Sequence, residues 1–374
     1  MLNPLFDPEH YHAVRKPLLE ADTLPPACYT SSDFFEREIE QVFLRNWQFV
    51  GREEQLAEAG SYFCHEGLGG SVIIMRTADS QIKAYANSCR HRGSRLLSGS
   101  GSCKRIVCPY HSWTYQLDGK LSGVPGMQET QDFDPAEYPL LELHLATWDG
   151  FIFVHYSSPL LSLSSYLGDM RDKFASHRCA DMRHVGSIEF DINANWKLLA
   201  ENALEAYHTG TVHRATLGQQ ASSAFTTTGN WTGLLVEDER SVATMPGKTE
   251  PFPHIDGLDD DAIRGAYFTM LFPSTQLVFA QDCMWWLAFS PLAVDRTHLI
   301  LGACFPQSTI DLPGFQDRVK PYFERWRLAT AEDNAICEAQ QDGQKFARPA
   351  GRFAASEFAL HALSNWVLDQ VLGS

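Results

Sequence analysis

The chain has 374 residues, 44% of them hydrophobic and 12% aromatic, which is enough for two domains with sizeable cores. Its 46 acidic and 30 basic residues give a net charge of −16, and no Lys/Arg-rich run stands against that balance. This excludes an electrostatic footprint for nucleic acid or for an anionic membrane surface. The first residues lack the basic-then-apolar layout of a signal peptide, and no stretch approaches the roughly 18 apolar residues of a membrane span. Nine scattered cysteines suit a reducing compartment, so a cytoplasmic protein is expected. Residues 1–30 are proline-rich and read as an extended arm over the surface. A helix is predicted next, because Asp33 and Glu36 have capping-box spacing and Phe34, Phe35, Ile39, Val42 and Phe43 form an apolar stripe.

From about Trp47 to Val154 short β-runs alternate with glycines, as in Ser71–Met75 and Gly150–Val154. Two loops between these runs carry Cys89-Arg-His91 and Cys108-Pro-Tyr-His111, sixteen residues apart. Thiolates and imidazoles suit iron or zinc better than any hard cation. A structural zinc site uses the same residue types, although zinc knuckles usually pair Cys with Cys and His with His. Here each finger mixes them, so one iron of a [2Fe–2S] cluster can take Cys89 and Cys108 and the other His91 and His111. That is a Rieske centre, in which neutral imidazoles raise the reduction potential. The flanks Asn87–Gly93 and Val107–Tyr115, with the Leu117–Leu121 turn after them, resemble the Rieske domain of ring-hydroxylating-type oxygenases. One departure is Ser112, where many relatives have Gly.

Beyond about residue 160 the pattern changes. Trp196–His208 reads as a helix, and an antiparallel meander follows over Tyr267–Phe272, Gln276–Ala280, Met284–Phe289 and His298–Phe305. The last third reads as helices over Phe315–Gln341 and from Ser356 onward, broken near Pro321 and Pro349. An α+β chain is therefore expected. Its divisions are an arm and helix over 1–45 that pack on the catalytic domain, an all-β Rieske domain over 46–158, and a helix-grip catalytic domain over 159–374.

His208 and His213 are five apart, about 140° around a straight helix, so only a break can aim both at one metal; Thr209-Gly210 offers a weak point. Two histidines and one carboxylate make the facial triad of non-haem iron oxygenases. Asn195-Trp196-Lys197, Glu201-Asn202, Glu205, Tyr207-His208 and His213 resemble the mononuclear-iron motif of Rieske oxygenase alpha subunits. That resemblance places the carboxylate at Asp333 within Glu332–Gly343, with Glu332 and Glu338 as competitors.

The same resemblance implies a ring of subunits, expected to be a homotrimer, in which Glu205 bridges a cluster histidine of one chain to an iron histidine of the next. Most ring-hydroxylating members carry Asp there. Glu205, together with Cys89–Leu96 and Leu97–Gly101, resembles the quaternary-ammonium branch that includes glycine betaine, choline and carnitine monooxygenases. The expected activity is O2-dependent hydroxylation or demethylation of a quaternary ammonium or betaine-type compound. The alternatives are mono- or dioxygenation of an aromatic acid or hydrocarbon, or a pure electron carrier with structural histidines. Phe268, Trp285 and Phe289 are candidate substrate contacts, because a trimethylammonium group favours aromatic faces. Strand alternation puts Trp285 and Phe289 on one face and Trp286 on the other. No Gly-rich strand–helix unit for a dinucleotide is present, which implies a separate NAD(P)H-dependent reductase with flavin and a ferredoxin-type cluster.

Overall fold

The computed structural model describes residues 4–247, 250–346 and 348–373. It divides into two compact units, one over Phe43–Leu163 and one formed by the chain up to Val42 together with Ser164 onward.

The Phe43–Leu163 unit is all β. Its seven-stranded antiparallel sheet runs, edge to edge, Gln48–Arg52, Phe151–His155, Glu142–Trp148, Ile82–Ala86, Gly70–Arg76, Ser61–Gly67 and Ser100–Ser102. A second, three-stranded sheet is made of Ile106–Val107, Thr114–Tyr115 and Leu121–Gly123. Ile73, Met75, Tyr85, Ile106, Trp113 and Tyr115 form the core on which both cysteine-bearing loops sit.

The second unit holds another seven-stranded antiparallel sheet. Its order is Met182–Ile192, Arg296–Pro306, Met284–Ala293, Thr275–Phe279, Gly265–Leu271, Trp231–Glu237 and Ser222–Ala224. Helices Trp196–Asn202, Lys320–Gln344 and Phe358–Leu372 pack with these strands, giving the expected sheet and long-helix architecture. Three of the seven strands, Met182–Ile192, Ser222–Ala224 and Trp231–Glu237, lie outside the predicted meander. Pro321 starts the long helix instead of breaking it, since the first turn has no use for its missing N–H.

The N-terminal segment departs from the extended form expected of it. It winds through 3-10 turns at Pro4–Phe6, Pro8–Tyr11 and Leu18–Glu20, and it buries Tyr11, Val14, Ala21 and Leu24. Arg15 pairs with Asp369 at 2.7 Å, and the Thr23 N–H donates to the Gly351 carbonyl at 3.0 Å. The following helix is capped by Ser31, not Asp33: its hydroxyl accepts from the Phe34 N–H at 3.4 Å, and Ser32–Glu38 runs into a π turn over Ile39–Phe43.

Glu38 and Lys197 form an ion pair at 2.7 Å with both side chains fully buried. The ammonium also lies 5.3–5.4 Å from the ring centres of Tyr29, Phe34 and Trp196. Burial pushes the Glu38 carboxyl up, against the opposing pull of Lys197. Glu38→Ala strands a buried ammonium and should cost about 3–5 kcal/mol, read as a fall in Tm on the order of 10 °C. An unchanged Tm would contradict this.

No helix among the described residues is long and apolar enough to cross a membrane. The described cysteines are all free; Cys28, Cys179, Cys283, Cys304 and Cys337 are buried, as are Cys89 and Cys108.

Candidate metal centres and active site

In the all-β unit each finger is a turn closed by its own backbone. The Cys89 N–H donates to Ser94 O, and the Gly93 N–H to Cys89 O, both at 2.8 Å. Asn87 fastens the loop from below, its amide donating to Leu97 O at 2.7 Å and accepting from the N–H groups of Leu96 and Leu97 at 3.0 Å. The second finger caps the Ile106–Tyr115 hairpin, with the Cys108 N–H on Trp113 O at 2.8 Å and the Ser112 N–H on Cys108 O at 3.0 Å.

The two thiols are buried and the two imidazoles lie at the rim, with ring centres 4.7 Å apart; His91 also stacks on Trp113. Burial would raise the Cys108 thiol. Hydrogen bonds from the N–H groups of Tyr110 and His111, and from the Cys89 and Ser94 side chains, outweigh burial and hold it below its ordinary range. The Tyr115 hydroxyl lies 3.3 Å from Cys89 Sγ.

A tetrahedral zinc would bring all four donors within about 3.3–3.8 Å of one another. Among the described residues, no three of these four offer ligand atoms within 4.8 Å of each other. A Cys pair and a His pair serving two irons fit this arrangement.

Ser112 sits at φ +60°, in the left-handed region. A Cβ there is strained, and glycine relieves it at some entropic cost. Ser112→Gly should therefore stabilise the protein by about 0.5–1 kcal/mol, measured as a Tm rise of roughly 1–3 °C; a fall would show that the Ser112 side chain contributes more than the strain.

In the second unit, helix Trp196–Asn202 starts at Asn195, whose side chain accepts from the Lys197 N–H at 3.1 Å. It ends at Ala203, whose carbonyl accepts from Gln276 Nε2 at 2.8 Å. The break thus falls over 203–208 and not at Thr209-Gly210, where a short helix Thr209–Val212 begins instead. Glu205 makes this possible: its carboxylate accepts from the His208 N–H at 3.0 Å and from His208 Nδ1 at 2.5 Å. The single turn that follows swings His213 round to the same side.

His208 Nε2 and His213 Nε2 lie 3.3 Å apart, and Asp333 Oδ1 lies 3.3 Å from the first and 3.1 Å from the second. Two ligand atoms each about 2.1 Å from one centre, about 100° apart, are separated by about 3.2 Å. The three atoms are thus spaced as ligands on one face of a metal ion. Asp333 Oδ1 is buried without a well-aligned hydrogen bond, as expected of an atom shaped for a metal. The residues therefore fit a mononuclear iron, with ligand positions left open on the opposite side.

The surroundings orient the ligands. Glu205 holds His208 Nδ1, and Glu332 Oε2 accepts from His213 Nδ1 and from Thr216 Oγ1, both at 2.7 Å. Each ring therefore presents Nε2 to the metal. Glu332 supports a ligand, whereas Glu338 accepts from Asn193. Burial pushes the Asp333 carboxyl up, but the two imidazoles prevail and hold it below its usual range. Burial works against protonation of His208, yet Asp333 and Glu205 raise it to about 9; His213 is raised by Asp333 and Glu332. Such protons must leave when a metal binds.

A cavity of about 90 Å³ opens on the triad. Pairing of Phe268 with Val278, and of Val278 with Trp285, puts Phe268 and Trp285 on the same inner face of the sheet. Leu287 and Phe289 continue that face along the strand. Phe268, Trp285 and Phe289 all line the cavity. Trp286 points to the opposite face against Gly302, Phe272 packs on Trp366, and Trp231 donates to Asp169. Sequence reasoning did not single out Gln276, Arg325 or Trp326, which also line it. A signal was present, because Arg325, Trp326, Ala329 and Thr330 fall on the buried stripe of the helix that carries Asp333.

A Rieske-type domain and a two-histidine, one-carboxylate site held between a sheet and long helices define a Rieske non-haem iron oxygenase alpha subunit. Residues 179–373 match the ring hydroxylating alpha subunit (catalytic domain) family and residues 46–137 the Rieske [2Fe-2S] domain, so the chain belongs to the ring-hydroxylating alpha-subunit family. It is 32% identical over 241 residues to the carnitine monooxygenase oxygenase subunit of Acinetobacter pittii, covering 62% of this chain and 65% of that one. The match thus spans slightly less than two thirds of that relative. It is 26% identical to the chloroplastic choline monooxygenase of Beta vulgaris, over 97% of this chain and 78% of that protein. A solved quaternary ammonium Rieske monooxygenase, CntA, superposes with a TM-score of 0.80 at 26% identity, covering 94% of this chain and 95% of that one.

Proposed function

We propose that the chain is the terminal oxygenase of a system that hydroxylates a carbon beside a quaternary nitrogen, on a betaine-type substrate. The observation that carries this reading is the triad at the mouth of a cavity whose Phe268 and Trp285 rings meet at 83°, with centres 5.8 Å apart. Two aromatic walls at a right angle suit an N-methyl cation, each good contact contributing about 0.5–2 kcal/mol. The carboxylates of Glu205 and Asp333, on the same cavity, favour positive charge.

One oxygen of O2 would enter the C–H bond and the other leave as water, with two electrons from a separate reductase and two protons from solvent. The carbinolamine formed would then collapse to an aldehyde and a smaller amine. When bound, the ferrous ion supplies open positions for dioxygen beside the substrate, and the [2Fe–2S] cluster supplies electrons singly. The chain's own residues do the rest: Phe268 and Phe289 place the N-methyl end, Glu205 and Glu332 fix the imidazoles, and Leu287, Leu299 and Leu301 exclude water.

We further read Glu205 as the link from His208 to a cluster histidine of a neighbouring chain, in a homotrimer located in the cytoplasm. Its near-complete burial against His208 supports a role other than a solvated charge.

The reading is tested by offering carnitine, glycine betaine, choline and several aromatic acids to the pre-reduced holoenzyme in air. Aldehyde release with a quaternary amine is expected. Product from an aromatic acid alone would move the protein to ring hydroxylation.

A further inference from the structure

Arg325 is a charged residue on this cavity whose chemistry the reading above does not use. Its side chain is 6% exposed, and it lines the cavity from the same helix as Asp333. It makes no hydrogen bond and no ion pair among the described residues, and its Nε is sealed from solvent without a partner. Its guanidinium carbon lies 5.8 Å from the centre of the Trp285 ring.

A guanidinium has five donors and keeps its charge at neutral pH. Burial lowers it to about 10, with Asp333 and Cys283 opposing, so it stays cationic in a neutral solution. A buried charge without a partner is costly, and proteins keep such groups where something arrives to pair with them. Arg325 lies eight residues before Asp333, two helical turns or about 12 Å along the axis. A group bound there is therefore removed from the triad by several bond lengths.

We propose that Arg325 is the receptor for a carboxylate of the substrate, gripped in the forked geometry that guanidinium and carboxylate share. This rests on the cavity being the substrate site, and it deepens the betaine reading by requiring an anionic end. The substrate is then a zwitterion. Its quaternary nitrogen lies towards Phe268, Phe289 and the triad, and its carboxylate towards Arg325. A cation without a carboxylate would leave Arg325 unpaired.

The test measures binding to the holoenzyme by calorimetry under anaerobic conditions, with two matched pairs of probes: carnitine against choline, and benzoate against benzamide. Carnitine should bind about tenfold or more tighter than choline, and Arg325→Met should abolish that preference. Removing an unpaired buried charge should also leave Tm unchanged or raise it, whereas a structural arginine would lower it. A preference confined to benzoate over benzamide, lost in Arg325→Met, would uphold the carboxylate site and overturn the quaternary-ammonium reading. Equal binding within both pairs, or a preference that survives Arg325→Met, would overturn the carboxylate site even if both quaternary amines bind.

Discussion

Asp333→Ala should lower the iron content from about three to about two atoms per chain and abolish product formation, while the visible absorbance of the cluster persists. The reason is geometric. Asp333 Oδ1 closes a triangle with sides of 3.1–3.3 Å on the two histidines, and without it two neutral imidazoles remain to hold a ferrous ion. The cluster ligands Cys89, His91, Cys108 and His111 belong to a separate compact unit, so persistence of their colour shows that the iron is lost from the unit that carries Asp333. His208→Ala should give the same pattern. Retention of about three irons per chain in either variant would remove the triad assignment.

Glu205→Gln should leave about three irons per chain when iron is supplied in excess, yet slow oxidation of the reduced cluster in a single turnover by orders of magnitude. Glutamine keeps one acceptor oxygen for the His208 N–H or Nδ1, but it cannot serve both as the two carboxylate oxygens do. It also lacks the charge that makes the imidazole a better ligand. Weaker iron binding, by about 10–100-fold, is expected from the lost orientation alone and is offset by the excess iron. Slowed cluster oxidation at full iron loading therefore isolates the proposed electron-transfer role. Normal oxidation and normal product yield at full loading would sink it.

Much of this site could be read from residue spacing. Mixed Cys/His fingers declare their pairing, and two histidines five apart announce that a helix must break. The place of the break was not legible, because it depends on Glu205 folding back onto the His208 N–H and on Gln276, from a distant strand, taking the Ala203 carbonyl. Strand Met182–Ile192 escaped for a different reason. A bulge between His184 and Gly186 puts its alternation out of phase. Trp231–Glu237 is buried on both faces over most of its length, which erases period two altogether. At the N-terminus, prolines suggested extension, but the first three 3-10 turns use them at or beside their starts, where a missing N–H costs nothing. Arg325 was legible in principle, as a charge inside an apolar helical stripe, but its meaning needed the cavity in front of it.

The central claim is that two metal sites act together on a bound substrate, and a single turnover tests it most directly. The holoenzyme is reduced, freed of reductant, given carnitine anaerobically and then mixed with oxygenated buffer, while cluster absorbance and aldehyde are followed together. The account expects rapid cluster reoxidation with carnitine, slow reoxidation without it, and aldehyde approaching one per mononuclear iron. Cluster reoxidation at the same rate with and without substrate, with no aldehyde or other oxidised product, would contradict it and leave an electron carrier in its place.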